Sequence, residues 1–243
     1  MAEQRDLKRI ALVNGADTEI GLAIAADLAR QGVRVLLASQ DIEKSQRDSA
    51  ELLKEGWDVL PIQLDTTDDS TVWALCGFIQ HKFGRLDILI NNANVSPSPT
   101  RSLPVFEQLE EIFRRLVTGT HRLIDALIPL LEEVGSSNIV NIAPHIKDFG
   151  IYAGKSAMCD SLIMPVYQAS IAALHSLTVS YAAQLQPRGI KVNTVSLENV
   201  YANSATSPLR TLAQTALLAV KVAVSGRDGP TGIFENKYKA LVV

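Results

Sequence analysis

The sequence is poor in cysteine and has no excess of positive charge. Its 243 residues include two cysteines, Cys76 and Cys159, and its net charge is -3. Two thiols cannot supply a disulfide framework, and the helical apolar pattern that Cys76 shares with Trp73, Ile79 and Phe83 predicts a buried structural residue. Without a basic surface, nucleic acid is a poor candidate partner. A small molecule or another protein is the expected partner.

The sequence also lacks any segment with the form of a membrane anchor or an export signal. The first residues, Met1 to Arg9, are charged and contain no apolar stretch. Nowhere do about 18 uncharged apolar residues follow one another. We therefore expect a cytoplasmic protein that has no membrane partner.

Short apolar runs alternate with helical patterns along the chain, and 47% of the residues are hydrophobic. The predicted strands cover residues 9–13, 33–38, 57–63, 86–91, 138–142, 191–195 and 232–235. The predicted helices cover residues 20–31, 41–55, 70–83, 105–131, 167–184 and 209–224. No linker rich in Gly, Ser or Pro separates these elements. The pattern predicts one α/β domain over residues 1–243, a doubly wound parallel sheet of about seven strands flanked by helices.

Several motifs follow the predicted strands in a fixed order. They are Asn14-Gly15-Ala16 with Ile20-Gly21, Leu64-Asp65, Asn91-Asn92-Ala93, Ile139-Val140-Asn141-Ile142, Tyr167-Gln168-Ala169-Ser170 and Arg188-Gly189-Ile190-Lys191-Val192-Asn193. Together they resemble the short-chain dehydrogenase/reductase family, and the ending Asp228-Gly229-Pro230-Thr231-Gly232 is similar to its carbonyl-reductase branch. The resemblance implies a Rossmann-type fold, a homodimer or homotetramer, and an NADP or NAD cofactor. It assigns cofactor contacts to Gly15, Ile20, Gly21, Asp65 and Asn91.

The chain departs from this family at the positions that carry the reaction. In the family a tyrosine protonates the substrate carbonyl while nicotinamide gives a hydride, and a lysine four residues later lowers the pKa of the phenol. Tyr167 matches the tyrosine, but Ile171 stands at the lysine position. In Ala143-Pro144, Pro144 replaces the orienting serine, and Leu116 replaces the asparagine of the proton relay. Conventional hydride transfer is therefore not expected.

The cofactor loops are altered too. Glu19 replaces the glycine at which the family's backbone approaches the pyrophosphate, and a carboxylate there adds bulk and like charge. Ser39 and Gln40 match neither the aspartate that marks NAD nor the arginine that marks NADP. Further on, Asn94 and the pair Leu197-Glu198 replace family glycines or prolines. We expect dinucleotide binding to be weakened or absent.

Two functions of different classes remain open. One is a non-redox member, either a catalyst of another reaction or a catalytically silent subunit that binds a small molecule or a sister protein. The other is an atypical NAD(P)-dependent carbonyl reductase that combines Tyr167 with a residue of the insertion at 145–165. Lys155 in this insertion could take the place of the missing lysine. Basic residues of the long helix, Arg114, Arg115, His121 and Arg122, are expected on a solvated or subunit-contact face.

Overall fold

A computed structural model describes residues 8–92, 105–144, 164–197, 208–235 and 240–242. In these ranges eight strands form one sheet: β1 Ile10–Asn14, β2 Arg34–Ser39, β3 Val59–Gln63, β4 Ile88–Asn91, β5 Ser137–Pro144, β6 Ile190–Leu197, β7 Ile233–Glu235 and β8 Ala240–Val242. Their order is β3-β2-β1-β4-β5-β6-β7-β8. Strands β1 to β7 pair in parallel, whereas β8 pairs antiparallel with β7. The predicted doubly wound parallel sheet is confirmed.

Helices connect the strands and cover both faces of the sheet. They are α1 Glu19–Arg30, α2 Ile42–Lys54, α3 Asp69–Lys82, α4 Val105–Phe113, α5 Thr120–Glu132, α6 Met164–Leu185 and α7 Pro208–Ala223. The first three begin at side chains that suit an N-cap, because Thr18, Asp41 and Asp68 each accept a hydrogen bond from a backbone N–H of the first turn. The sequence therefore encodes where these helices start.

Alternate residues of the central strands supply two hydrophobic cores. Leu12, Leu36 and Leu89 belong to the core that contains residues of α3, α5 and α6. Their neighbours Val13 and Ile90 belong to the core of α1 and α7 on the other face. Each of these side chains is fully buried, which contributes about 1.5–3 kcal/mol per large aliphatic residue. Burial on both faces explains why these strands are almost continuously apolar.

The structure differs from the prediction at two elements. The single helix expected over residues 105–131 is divided by a π-helical segment, Arg114–Gly119, between α4 and α5. A Cβ at Gly119 would stand 2.5 Å from Thr66 Oγ1, so this segment passes very close to the loop after β3. The strand β8 was not predicted; it pairs antiparallel with β7, whereas the alternation of strands and helices predicts only parallel strands. Pro61 lies in β3, which is an edge strand of the described sheet.

The prediction for Cys76 is confirmed only in part. Cys76 is half-buried against the core of α3 and α5, and its Sγ donates a weak hydrogen bond to the carbonyl oxygen of Ala126 at 3.6 Å. Burial raises the pKa of this thiol to about 11, so it stays protonated and unreactive near neutral pH. Trp73, expected to share its apolar face, is instead 66% exposed. Cys159 lies outside the described residues.

Candidate functional site

A cleft of about 180 Å³ lies at the carboxyl ends of β1, β2 and β3, next to the point where the strand order reverses. Open α/β sheets bind their ligands at this place. The cleft is lined by Asn14, Gly15, Asp17, Thr18, Ser39, Gln40, Leu64, Thr66, Asn92 and Arg115. Of the predicted cofactor residues, Gly15 is part of this lining, so we call it the ligand cleft.

Glycine is required at two positions of the loop after β1. Gly15 has a φ of +70°, and a Cβ there would overlap the carbonyl oxygen of Asn92. A Cβ on Gly21 would overlap the carbonyl oxygen of Gly15. Both glycines are therefore required by the packing of the backbone itself. Their presence does not by itself indicate a bound dinucleotide.

Hydrogen bonds hold this loop against the residue that follows β4. Thr18 Oγ1 accepts from the Gly21 amide at 3.0 Å and donates to the Gly15 carbonyl oxygen at 2.9 Å. Asn92 Nδ2 donates to Thr18 Oγ1 at 2.7 Å and to the Gly15 carbonyl oxygen at 3.1 Å. The side chains of Thr18 and Asn92 thus hold one wall of the ligand cleft in place without any contact from a ligand.

Glu19 is the first residue of α1, and it is exposed. Its side chain is not among those that line the ligand cleft. A carboxylate in the first turn stabilises a helix by about 0.3–1 kcal/mol, because it opposes the positive end of the helix dipole. The bulk of Glu19 therefore does not fill the cleft, but its charge occupies the helix terminus that an anionic ligand would use.

Arg115 brings a positive charge into the ligand cleft. It lies in the π-helical segment, where its Nη1 donates to Gln40 Oε1 at 2.9 Å and its Nε pairs with Glu111. The sequence placed Arg115 on a solvated or subunit-contact face, and its side chain is indeed 40% exposed, but its place in the cleft lining was not predicted. The cause is the π-helical turn, which changes the direction of side chains relative to a regular helix and leaves no signal in the hydrophobic pattern.

Asp65 takes part in the same polar group at the ends of β2 and β3. Its Oδ1 accepts from the Thr67 amide at 2.8 Å and from Thr67 Oγ1 at 2.7 Å. Burial raises the pKa of this carboxyl, but hydrogen bonds from Thr67 and Gln40 and the charge of Arg115 outweigh it and hold the pKa below its ordinary value. Asp65 is therefore an anion that orders its own turn, and it does not line the cleft.

The Ser39 hydroxyl is engaged within the protein. Its Oγ donates to the Asp41 carbonyl oxygen at 2.8 Å and lies 2.8 Å from Ser45 Oγ. The residue is buried, with 2% of its surface exposed. Ser39 thus has little capacity to bind a ribose, and Gln40 is already bonded to Arg115. The end of β2 consequently presents an amide and a guanidinium to the cleft.

An apolar cluster occupies the positions where the family pattern has its reactive side chains. Leu116 and Ile171 are each 2% exposed, and they pack together with Leu174 and with Ala143, which is fully buried. Val117 and the half-buried Tyr167 pack against this cluster. The structure therefore brings together the residues at the predicted lysine, asparagine and tyrosine positions, and it makes them a small hydrophobic core.

Two other predicted cofactor residues lie in the protein interior. Ile20 is 5% exposed and packs in the core of α1 and α7. Asn91 is 2% exposed, and its Nδ2 donates to Asn141 Oδ1 at 2.9 Å. Asn141 Nδ2 in turn donates to Thr178 Oγ1 at 2.8 Å, so Asn91 is the first member of a buried polar row. Both residues support the sheet beneath the cleft.

Several predicted site residues lie outside the described residues. They are Lys155 with nearly all of the insertion, Asn94 and Glu198. Among the described residues no group of His, Cys, Asp and Glu could hold a metal ion. No helix in the described ranges is long and apolar enough to cross a membrane.

The comparison with known protein families agrees with this architecture. The family model for short chain dehydrogenases matches residues 9–211, which is most of the chain. The chain therefore belongs to the short-chain dehydrogenase/reductase family. The order of the strands and the position of the ligand cleft are those expected for a Rossmann-type member.

Individual relatives are similar over much of their length. The uncharacterized oxidoreductase YxjF of Bacillus subtilis is 30% identical over 77% of this chain and 69% of its own length. Carbonyl reductase [NADPH] 1 of Sus scrofa is 35% identical over 56% of this chain, and the match spans 46% of that enzyme. The solved structure of menthone neomenthol reductase from Mentha piperita has a TM-score of 0.74 at 26% identity, covering 94% of this chain and 98% of that one.

Proposed function

We propose that this chain is a non-redox member of the family, which either uses the ligand cleft to bind a small molecule or to catalyse another reaction, or serves as a catalytically silent subunit of a sister protein. The observation that carries the proposal is the apolar cluster of Leu116, Ala143, Ile171 and Leu174 beside Tyr167. A phenol has an ordinary pKa of about 10, and its use as an acid or base near neutral pH needs a nearby positive charge. Ile171 supplies none. This apolar residue, at the position that the sequence matched to the family's lysine, supports the proposal.

The two halves of the site differ in their fit to a dinucleotide. The end formed by Gln40, Arg115 and Thr66 is polar and carries a guanidinium, which suits an adenosine that bears a phosphate. At the other end, the side chains of the described apolar cluster that pack with Tyr167 include no cation for a nicotinamide ribose. The residues present therefore fit the adenosine half and do not fit the reacting half. A ligand that resembles the adenosine half alone is the better match.

The direct test measures binding and turnover separately. Titration with NADPH and NADH by calorimetry up to 1 mM should give no tight binding, and incubation with a panel of ketones and quinones should consume neither cofactor. Tyr167→Phe is the matched variant, and it should behave as the unaltered chain does. NADPH oxidation that disappears in Tyr167→Phe would overturn the proposal.

A triple variant tests whether the altered positions are the cause. Glu19→Gly, Pro144→Ser and Ile171→Lys together remove the charge at the helix terminus and return the family's serine and lysine. Dinucleotide binding should increase in this variant, provided that circular dichroism shows it to be folded. Glu19→Asp with Ile171→Leu is the control, because it keeps the negative charge and the apolar side chain, and it should leave binding unchanged. If the folded triple variant gains no affinity, the altered positions are not what weakens binding.

An atypical carbonyl reductase is the second candidate, and the names of two relatives favour it. One relative is an oxidoreductase and another is a carbonyl reductase that uses NADPH. Arg115 would suit the 2′-phosphate of that cofactor. The candidate requires Tyr167 to work with Lys155 or another residue of 145–165. It predicts NADPH consumption that is lost in both Tyr167→Phe and Lys155→Met.

The oligomeric state and cellular location stay predictions from the sequence. A homodimer or homotetramer would be recognised by light scattering coupled to gel filtration. Co-purification from the native host would reveal a sister subunit, which is the form of partner that a catalytically silent member would need.

A further inference from the structure

A second cleft lies at the amino ends of β5, β6 and β7, whereas the ligand cleft lies at the carboxyl ends of the strands. It has a volume of about 520 Å³ and is formed by the three loops that lead into these strands. Its lining consists of Gly135, Ser136, Gln186, Pro187, Arg188, Gly189, Lys191, Arg227, Gly229 and Thr231. It shares no lining residue with the ligand cleft. We call it the amino-edge cleft.

Lys191 is the central feature of the amino-edge cleft. Only 5% of the residue is exposed, yet its Nζ reaches the cleft and donates to Ser136 Oγ at 3.2 Å. Within the described part of the chain Lys191 forms no ion pair with a carboxylate. A buried ammonium with one hydroxyl partner is poorly compensated, because burial removes most of its hydration.

The charges around Lys191 are mostly of the same sign. Burial lowers the pKa of Lys191, and so do the nearby charges of Arg9 and Arg227, against the opposite effect of Asp228. Arg9 is held beside it by bonds from its guanidinium to the carbonyl oxygens of Val224 at 3.1 Å and Ala223 at 3.4 Å. Arg188, at the rim, is paired with Glu132. Asp228 near Lys191 and Asp87 near Arg9 offset these charges only in part, so the cleft keeps an excess of positive charge.

We propose that the amino-edge cleft binds a phosphate group, either as inorganic phosphate or as the phosphomonoester end of a small metabolite. A dianion would supply the countercharge that Lys191 lacks. The exposed guanidinium of Arg227 can bond two phosphate oxygens from the rim, which a lysine cannot do. The volume exceeds what one phosphate fills, so the site has room for a few carbon atoms beyond it. This site is independent of the proposed function, because it lies at the amino ends of the strands, away from the ligand cleft.

The test is calorimetric titration with inorganic phosphate and with glycerol 3-phosphate, at an ionic strength held constant with sodium chloride. Both should bind in a saturable way. Lys191→Met should abolish the response, and Arg227→Gln should weaken affinity about tenfold, as expected for one charge-assisted hydrogen bond. Arg47→Gln, an exposed arginine of α2, is the matched control and should leave affinity unchanged.

The stability of Lys191→Met separates binding from a purely structural role. If the ammonium serves to bind a ligand, its removal should leave the melting temperature in chloride unchanged or raised, because a poorly compensated charge is lost. A marked fall in that temperature would indicate a structural lysine and would overturn the proposal. It would also be overturned by phosphate binding that survives in Lys191→Met, or by an Arg227→Gln variant that keeps the full affinity. If succinate binds with the same affinity as phosphate, the assignment to a phosphate group is wrong. Tighter binding of glycerol 3-phosphate than of phosphate would identify a metabolite as the ligand, and equal affinities would identify the free ion.

Discussion

Ile171 lies at the position that the sequence matched to the family's lysine, and it is part of the apolar cluster. It is 2% exposed and packs with Leu116, Leu174 and Ala143. An ammonium at this position would therefore be buried among apolar side chains, which makes it costly.

Ile171→Lys alone should destabilise the protein by about 2–4 kcal/mol, because it buries a charge that nothing compensates. Urea unfolding followed by circular dichroism would measure the loss. Ile171→Leu keeps the volume and polarity, and it should cost less than about 1.5 kcal/mol. Equal stability of the lysine variant and the original chain would mean that the apolar cluster is not formed as described.

Gly32, which lies between α1 and β2, is a matched control for Gly15 in the loop after β1. Both have positive φ, +70° and +81°, but only at Gly15 would a Cβ meet other atoms. Gly15→Ala should therefore cost about 2–4 kcal/mol, whereas Gly32→Ala should cost only about 1 kcal/mol for its backbone conformation. Thermal unfolding in the absence of nucleotides would measure both. Similar small losses would show that Gly15 is not required by packing.

At the scale of elements, a buried polar row joins three strands to a helix. Asn91 of β4 bonds to Asn141 of β5, and Asn141 bonds to Thr178 of α6. Thr194 of β6 donates to Thr178 Oγ1 at 3.0 Å, and Thr178 donates to the Leu174 carbonyl oxygen at 3.1 Å. Thr178 thus follows Leu174 of the apolar cluster by one helical turn. The row fixes how this helix sits on the sheet.

Thr178→Val should destabilise the protein by about 1–3 kcal/mol. The valine has nearly the same shape, but it leaves buried donors on Asn141 and Thr194 without their acceptor. Ser180→Ala, on an exposed position of the same helix, is the control and should change stability by less than about 0.5 kcal/mol. Chemical denaturation of the two variants would measure both changes in the free energy of unfolding. Equal losses would argue that the row does not hold the helix.

At the scale of the whole molecule, several carboxylates make stability depend on pH. The pKa of Asp58 is lowered from its ordinary value of 3.8, first by a hydrogen bond from Arg34 and also by Lys8, although burial acts in the opposite direction. The pKa values of Asp65 and Glu111 are lowered as well. A carboxyl whose pKa is lower in the folded state stabilises the protein above its unfolded pKa. That contribution is lost as pH falls through the folded value.

Asp58→Asn should therefore lower stability at pH 7 by about 0.5–1 kcal/mol, a modest value because Asp58 is 32% exposed. The difference from the unaltered chain should begin to shrink as pH falls below 3.8, where unfolded Asp58 is protonated, and it should vanish below the lower pKa of the folded state. Urea midpoints between pH 7 and pH 3 would show this. A difference that stays constant with pH would mean that the ion pair contributes nothing.

The sequence predicted the seven parallel strands and most helices because their signals are local. Apolar periodicity and capping residues such as Thr18 and Asp41 depend only on near neighbours in the chain. The cleft residue Arg115 could not be predicted, since its position depends on a π-helical turn and on Gln40, 75 residues away. Motif comparison named the positions of Leu116 and Ile171, but only packing showed that they form one cluster. Lys191 was not predicted as a binding residue, because its motif indicates only a strand.

Pro61 in the edge strand β3 has a consequence for how the molecule behaves in crowded mixtures. An edge strand offers a row of backbone donors and acceptors to any other extended chain, and proline interrupts that row because it has no N–H. The opposite edge of the described sheet, β8, is only three residues long. Neither margin is a good template for adding foreign strands. Fibril seeds should therefore add only poorly to these two edges of the described sheet.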